Sequence, residues 1–310
     1  MKKNIEWKDT YYHSKDRIVL TSEELNIPGL SMLGKHSMTS AVAPLPDHYH
    51  KDCYEFTFVL RGAISFTVGN TDYEISGNEV FVTKPNEVHS TNLHPLSAGE
   101  IIWFQIDIKE GRNILYLDEE GTKKLIDDLE NIKEHKIKIL DVPLIHFIKK
   151  AFDLSLDQKN RYRTASYLSL SLLELVEQRN RPKPRVGDDM MKSLTYIREH
   201  IKEDISLDQL ASTVNLSLSQ FKQKFKKQIG IAPRHYINDQ KIKEAKKMLM
   251  QNRSITEVAM ELGFNTSSYF SIVFKRYCAC SPREYMKNKK VEIPEYFKGD
   301  SKVSDEDFFR

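Results

Sequence analysis

Between residues 54 and 108 apolar and polar positions alternate over short runs. "YEFTFVL" (54–60), "AISFTVG" (63–69), "TDYEIS" (71–76) and "EVFVTK" (79–84) are rich in β-branched and aromatic residues. Gly62, Gly69-Asn70, Gly77 and Pro85 bound them, the punctuation expected of strands. Gly69-Asn70 between two alternating runs predicts a tight hairpin turn. Strands this close leave no room for intervening helices, so they predict an antiparallel sandwich or barrel.

From about residue 119 the period turns helical. In "TASYLSLSLLELVEQR" (164–179), Ala165, Leu168, Leu172, Leu175 and Val176 share one stripe, and Leu170 and Leu173 fall outside it. Such a helix needs a second apolar neighbour, either its own sheet domain or another copy of the chain. "RPKPRVG" (181–187) then reads as a linker.

After the linker the sequence repeats. "SLDQLASTVNLSLSQFKQKFKKQIGIAPRHYI" (206–237) aligns with "SITEVAMELGFNTSSYFSIVFKRYCACSPREYM" (254–286), the second copy having one extra residue in its turn. Ser206 matches Ser254, Ala211 matches Ala259, Asn215 matches Gly263, Phe221 and Phe225 match Phe270 and Phe274, and Pro233 and Tyr236 match Pro282 and Tyr285. Each copy predicts a helix–turn–helix. Ser206 with Gln209, and Ser254 with Glu257, form capping boxes that start the first helix. The alanines allow close helix crossing, and Asn215 and Gly263 tolerate the left-handed conformation that ends it. The second helix buries its phenylalanines. Its outer side carries Ser219, Gln220, Gln223, Lys226 and Lys227 in one copy, and Ser267, Ser268, Ser271, Lys275 and Arg276 in the other.

Short polar side chains at the start of such a helix can read base edges, and cations further along can hold phosphates. The candidate base contacts are Ser219, Gln220, Gln223, Asn265, Thr266, Ser267 and Ser268; the candidate phosphate contacts are Lys226, Lys227, Lys275 and Arg276. Between the copies, Pro233 to Met250 reads as one helix, a stiff spacer of roughly 26 Å that could set the two second helices about one DNA turn apart.

Charge agrees with this division. Residues 1–180 carry a net −5, residues 181–290 a net +11 and the last twenty a net −3, within a total of +3 over 310 residues. A basic region joined to a mildly acidic one suggests that only the former meets a polyanion. The start "MKKNIEWKDT" has no apolar stretch behind it, and "YLSLSLLELV" (167–176) is too short to cross a bilayer. Cys53, Cys278 and Cys280 cannot all pair internally. A cytoplasmic protein with no membrane partner is expected.

Residues 190–290 resemble the DNA-binding domain of the AraC/XylS family of bacterial transcription regulators. "GFNTSSYFSIVFKRYCACSPREY" carries the strongest likeness, and "KIKEAKKML" of the linking helix matches as well. Ile272 departs from the family pattern where a basic residue is common, Ala279 where glycine is usual, and Lys241 where arginine is customary. The resemblance implies a cupin barrel ahead of this domain, and "HYHKDCYEF" (48–56) supports it. His48-x-His50, Glu55 and Gly62 fit the core of the first cupin motif, with Val42 where a glycine is expected before the histidines; Gly77, Pro85 and His89 fit the second more loosely, the glycine after the proline being missing and the spacing one residue short.

On a strand, residues two apart face the same way, so His48 and His50 are expected to point into the barrel. With Glu55 and His89 they could bind a divalent transition metal or hydrogen-bond an organic ligand. Tyr54 and Trp103 complete the candidate effector pocket. The sequence therefore predicts an α+β protein of two domains: a cupin-like antiparallel β-barrel with a helical extension, and an all-α domain with two helix–turn–helix units. Residues 1–180 would bind an effector and dimerise, 181–187 link, 188–290 bind DNA through units at 206–228 and 254–277, and 291–310 form an acidic tail. The expected function is a non-enzymatic, sequence-specific transcription regulator controlled by a small effector, a sugar or sugar derivative by family resemblance. Double-stranded DNA, a second copy of the chain and RNA polymerase are the expected partners. Two alternatives stand beside it: a metal-dependent cupin enzyme, active in residues 1–180 alone, and a constitutive DNA-binding protein whose barrel only dimerises.

Overall fold

A computed structural model describes residues 16–39, 41–42, 44–92, 96, 99–139, 142–180, 186–278 and 280–287. Most of the expected linker and the whole acidic tail lie outside them. The chain divides into two compact units near residue 184, with 39–44 and 93–98 grouped with the second.

The first unit holds strands β1 (Arg17–Thr21), β2 (Leu30–Met38), β3 (Cys53–Arg61), β4 (Ala63–Val68), β5 (Thr71–Ser76), β6 (Glu79–Thr83), β7 (His89–Ser90), β8 (Gly99–Asp107) and β9 (Lys136–Lys138). Its helices are α1 (Ser22–Leu25), α2 (Glu119–Glu130), α3 (Val142–Ser155) and α4 (Arg161–Asn180). The strands form two antiparallel sheets, ordered β1-β2-β8-β3-β6-β9 and β5-β4-β7. The expected closed barrel is thus an open pair of sheets, joined face to face where Phe66 stacks on Phe81 at 4.3 Å between ring centroids.

Strand alternation gives the large sheet two different faces. Tyr54, Phe56, Phe58 and Leu60 of β3 and Ile102, Phe104 and Ile106 of β8 pack against Leu144, Ile148 and Phe152 of α3 and Leu168 and Leu172 of α4. Glu55, Thr57, Trp103 and Gln105 alternate with them and face the other sheet. There Gly34 of β2 lies opposite Trp103, and a Cβ at residue 34 would come within 2.5 Å of the indole. Glycine is therefore what lets the tryptophan lie flat on the sheet.

The second unit contains α5 (Asp188–Glu199), α6 (Leu207–Ser212), α7 (Leu218–Ile229), α8 (Pro233–Met250), α9 (Ile255–Glu261), α10 (Ser267–Cys278) and α11 (Pro282–Lys287). The pairs α6–α7 and α9–α10 are the two repeats. Ser206 Oγ accepts from the Gln209 amide, and Ser254 and Glu257 cap each other reciprocally. A further reciprocal cap joins Ser217 and Gln220 at the start of α7. Asn215 and Gly263 end their helices at φ of 55° and 66°. Phe221, Phe225, Phe270 and Phe274 are fully buried.

Helix α8 belongs to both halves. Its Ile237 packs in the first helical core, and Ile242, Ala245, Met248 and Leu249 pack in the second. Between the two cores Lys241, only 4% exposed, donates to the Glu203 carbonyl at 2.6 Å and to the Leu262 carbonyl at 2.6 Å. The first carbonyl precedes the first repeat and the second ends α9, so one ammonium ties the repeats together. Burial pushes its pKa down to about 8. Gly263 tightens the same junction, since a Cβ there would meet the Glu203 backbone at 2.4 Å. Lys202 and Glu261 add an exposed ion pair at 2.8 Å.

Replacing Lys241 with methionine keeps the apolar stem but leaves two buried carbonyls unpaired, at about 1–3 kcal/mol each. Denaturant unfolding of the full chain is expected to show Lys241→Met less stable by about 2–4 kcal/mol, with Lys241→Arg recovering most of the loss.

Candidate nucleic-acid interface and histidine pocket

The second helix of each repeat presents its outer face to solvent because its phenylalanines anchor the opposite one. On α7, Ser219, Gln220, Gln223, Lys226 and Lys227 are all exposed, as is Lys222. The Gln220 side-chain oxygen accepts from the Ser217 hydroxyl at 2.9 Å and from its amide at 3.1 Å, so this residue offers a partner mainly its amide hydrogens. Helix α10 starts where Thr266 Oγ1 accepts from the Tyr269 amide at 3.0 Å. Asn265, Thr266, Ser268, Lys275 and Arg276 are exposed, and Ser267 is half-buried. Ser271, expected on the outer side, turns back to donate to the Ser267 carbonyl at 2.8 Å. The sequence pattern passed over Tyr269 and marked Ile272 only as a departure at a commonly basic position; they are 54% and 63% exposed on this face.

In the first unit the three pocket histidines converge. His48 and His50 precede β3 rather than lying on a strand, contrary to expectation. A backbone bridge does the positioning: the His48 amide donates to the His89 carbonyl at 3.0 Å and the His89 amide to the His48 carbonyl at 2.9 Å. The His50 carbonyl accepts from the Asn86 amide at 2.9 Å. The imidazole centroids then stand 4.2 Å apart for His48–His89 and 5.2 Å for each of the other two pairs. One ring nitrogen from each lies within 4.8 Å of the others.

The tautomers suit a metal. His48 Nδ1 lies 2.8 Å from the Pro46 carbonyl and His89 Nδ1 lies 3.1 Å from the Glu87 carbonyl. A carbonyl only accepts, so both Nδ1 atoms carry hydrogen and both Nε2 lone pairs are turned inward, the arrangement that orients metal-ligating histidines. His89 Nε2 is buried with no hydrogen-bond partner among the described residues. His48 and His89 therefore suit a divalent transition metal, and His50, spaced to complete the set, would have to exchange its contacts with Glu55 at 3.0 Å and Gln105 at 3.1 Å for one. Glu55 stands beside this group: its carboxylate lies 3.0 Å from His50 Nε2 and accepts from Gln105 Nε2 at 3.0 Å. Burial alone would raise the Glu55 pKa, but the His50 and His89 imidazoles and the Gln105 amide outweigh it and hold the carboxyl far below its usual range. Burial, with His89 nearby, lowers the His48 pKa to about 4.

Trp103 faces the same side as Gln105, and its indole N–H donates to His36 Nε2 at 3.2 Å. Tyr54 is a correction. It alternates with Glu55 on β3 and joins the helix-facing core, away from the pocket. Gln105 and His36 were missed. Their signal was faint: polar residues inside runs that otherwise read as plain strand.

The Helix-turn-helix domain family matches residues 210–288, and the Cupin domain family matches residues 39–104. Among curated proteins, the HTH-type transcriptional activator RhaS of Salmonella paratyphi A is 22% identical over 270 residues, spanning 81% of this chain and 91% of RhaS. The chain thus carries a helix-turn-helix domain behind a cupin domain and is similar to AraC-type DNA-binding regulators. Among solved structures, the chain is similar to the C-terminal domain of AraT, a response regulator from Geobacillus stearothermophilus. The two are 25% identical over 36% of this chain and 93% of that one, at a TM-score of 0.33. ToxT from Vibrio cholerae O395 is 15% identical over 88% of this chain and 98% of its own, at a TM-score of 0.32.

His36 supplies a pH prediction. Burial, with Arg17 nearby, lowers its pKa from 6.5 to about 3. Between those values the unfolded chain binds a proton that the folded chain does not, so stability falls as pH falls through the window. The loss is at most about 1.4 kcal/mol per pH unit from this one group. Thermal melts of the full chain are expected to show the first unit destabilised between pH 6.5 and about 5, and His36→Gln is expected to flatten that slope.

Proposed function

We propose that this regulator binds duplex DNA in a sequence-specific manner through α7 and α10, and that a small effector in the histidine pocket controls that binding. The observation that carries the reading is the doubled reading face: two helices anchored by buried phenylalanines, each exposing short polar side chains at its start and a cation pair at its end. Ser219, Gln220, Gln223, Asn265, Thr266, Ser267 and Ser268 would meet base edges, and Lys226, Lys227, Lys275 and Arg276 would meet phosphates.

The effector is taken to be a sugar or sugar derivative. Glu55, Gln105 and His36 with Trp103 offer hydroxyl groups both donors and acceptors beside an aromatic ring. A divalent transition metal on His48, His50 and His89 would supply an open coordination position for an oxygen atom of the ligand. Effector binding acts on DNA affinity only through a difference in its affinity for the DNA-competent and DNA-incompetent states. Residues 1–180 would serve as the sensing and dimerising domain, 181–187 as linker and 188–290 as the DNA-binding domain, in the cytoplasm and without enzymatic turnover. Dimerisation would use α4, whose Tyr162, Leu170 and Leu173 remain 57%, 43% and 49% exposed while its other stripe is buried. A dimer raises affinity by presenting four reading helices at high effective concentration. Contact with RNA polymerase belongs to the reading because the relative RhaS is a transcriptional activator.

Two measurements test the halves separately. Selection of bound sequences from a randomised duplex library should yield a defined site. Gln223→Ala is expected to change the preferred base at one position, whereas Lys275→Ala weakens all sequences alike and lowers the salt slope by about one. Uniform weakening by both would refute the assignment of the reading surface. Elemental analysis of full-length protein purified without chelator is expected to find about one equivalent of a divalent transition metal, lost in His50→Ala. Background metal in the wild type would leave only an organic-ligand pocket.

A further inference from the structure

We infer that the second reading helix selects its part of the DNA site through thymine methyl groups, and that Ile272 is the residue that meets them. The inference rests on the reading of α10 as a base-contacting helix. Aligned on their buried phenylalanines, Phe221 with Phe270 and Phe225 with Phe274, the two reading helices place Gln223 and Ile272 at the same position. Helical geometry sets that position at the middle of the exposed face, with Ser219 or Ser268 one turn before it. Lys226 and Lys227, or Lys275 and Arg276, follow one turn after.

The scaffold is common and the chemistry differs. A carboxamide at residue 223 can donate to and accept from an adenine edge. A branched hydrocarbon at residue 272 can do neither. Ile272 is 63% exposed and Tyr269, three residues earlier, is 54% exposed, so the centre of the second face is an apolar ledge. The exposed cations Lys275 and Arg276 border it, within a region of net charge +11. Both features favour a polyanion over an apolar protein surface. Within a B-form major groove, the thymine C5-methyl is the apolar group on a base edge. Set instead against a guanine or cytosine, Ile272 would strip water from polar base atoms without replacing their hydrogen bonds. The first repeat therefore reads by hydrogen bonding and the second largely by apolar contact.

The test uses the full-length chain and a duplex selected by it from a randomised library. Each thymine of the selected site is replaced in turn by deoxyuridine, which removes the methyl group and leaves the pairing edge intact. One or two positions in one half of the site are expected to weaken binding by about fourfold each, the factor matching about 0.8 kcal/mol for one buried methyl-sized group. With Ile272→Ser the affinity for the thymine site falls by a similar factor, and the uridine penalty disappears at those positions only. A penalty that persists in Ile272→Ser overturns the assignment of the residue. No penalty at any thymine, or a site without thymine in that half, overturns the inference and leaves α10 as a base reader by its polar groups. Failure of the library to converge on any sequence overturns the base-reading role itself.

Discussion

The register that sets Glu55 opposite Gln105 on β3 and β8 couples the stability of the first unit to its chemistry. Strand alternation allows these two central strands one apolar face and one mixed face. Phe56, Phe58, Ile102 and Phe104 supply the contact with the helices. The residues between them then necessarily face the smaller sheet, where Glu55, Gln105 and Trp103 stand. A slip of one residue would exchange the two sets, burying a carboxylate among leucines and turning phenylalanines into the pocket. The apolar core thereby enforces the pocket's composition.

The histidines use a different device. None of them depends on the alternation of a long strand. A pair of backbone hydrogen bonds between His48 and His89 draws the segment before β3 onto the short strand β7, and carbonyls two residues earlier orient both rings. Each ring thus has its hydrogen committed outward and its lone pair inward. Holding the His48 and His89 imidazoles this close is tolerable while both are neutral, which agrees with their lowered pKa values.

Legibility followed the range of the forces involved. The four strand segments between residues 54 and 84, the bounds of α8 at Pro233 and Met250, and the left-handed Asn215 and Gly263 were readable because short-range periodicity, proline at a helix start and turn chemistry fix them locally. Strands β1, β2 and β9 were not readable. Residues "LSMLGKHSM" mix polar and apolar positions, and "KIK" is three residues long; both are strands because neighbours pair with them. Tyr54 was misplaced because residue type was allowed to outweigh its parity with Glu55. Gln105 and His36 acquire their roles only from partners 50 and 67 residues away, a separation that no local pattern reports. Helices α7 and α10 were the most legible part of the candidate sites, since a repeated sequence states its own alignment. Even there, the Ser217–Gln220 cap and the exposed Ile272 needed the structure.

The buried ammonium of Lys241 has a consequence for how operators can evolve. With both repeats packed on α8 and bridged by Lys241 to the Glu203 and Leu262 carbonyls, helices α7 and α10 have little freedom to swivel independently. Duplex DNA turns about once every 10.5 base pairs, so an insertion of one pair between the two contacted segments displaces one of them around the axis by roughly a tenth of a turn. A flexible tether would absorb that rotation; a braced pair cannot. On the proposed reading, a protein of this construction would act as a phase gauge: its sites could drift in the bases between contacts but would have to keep the number of those bases, unless the brace changed with them.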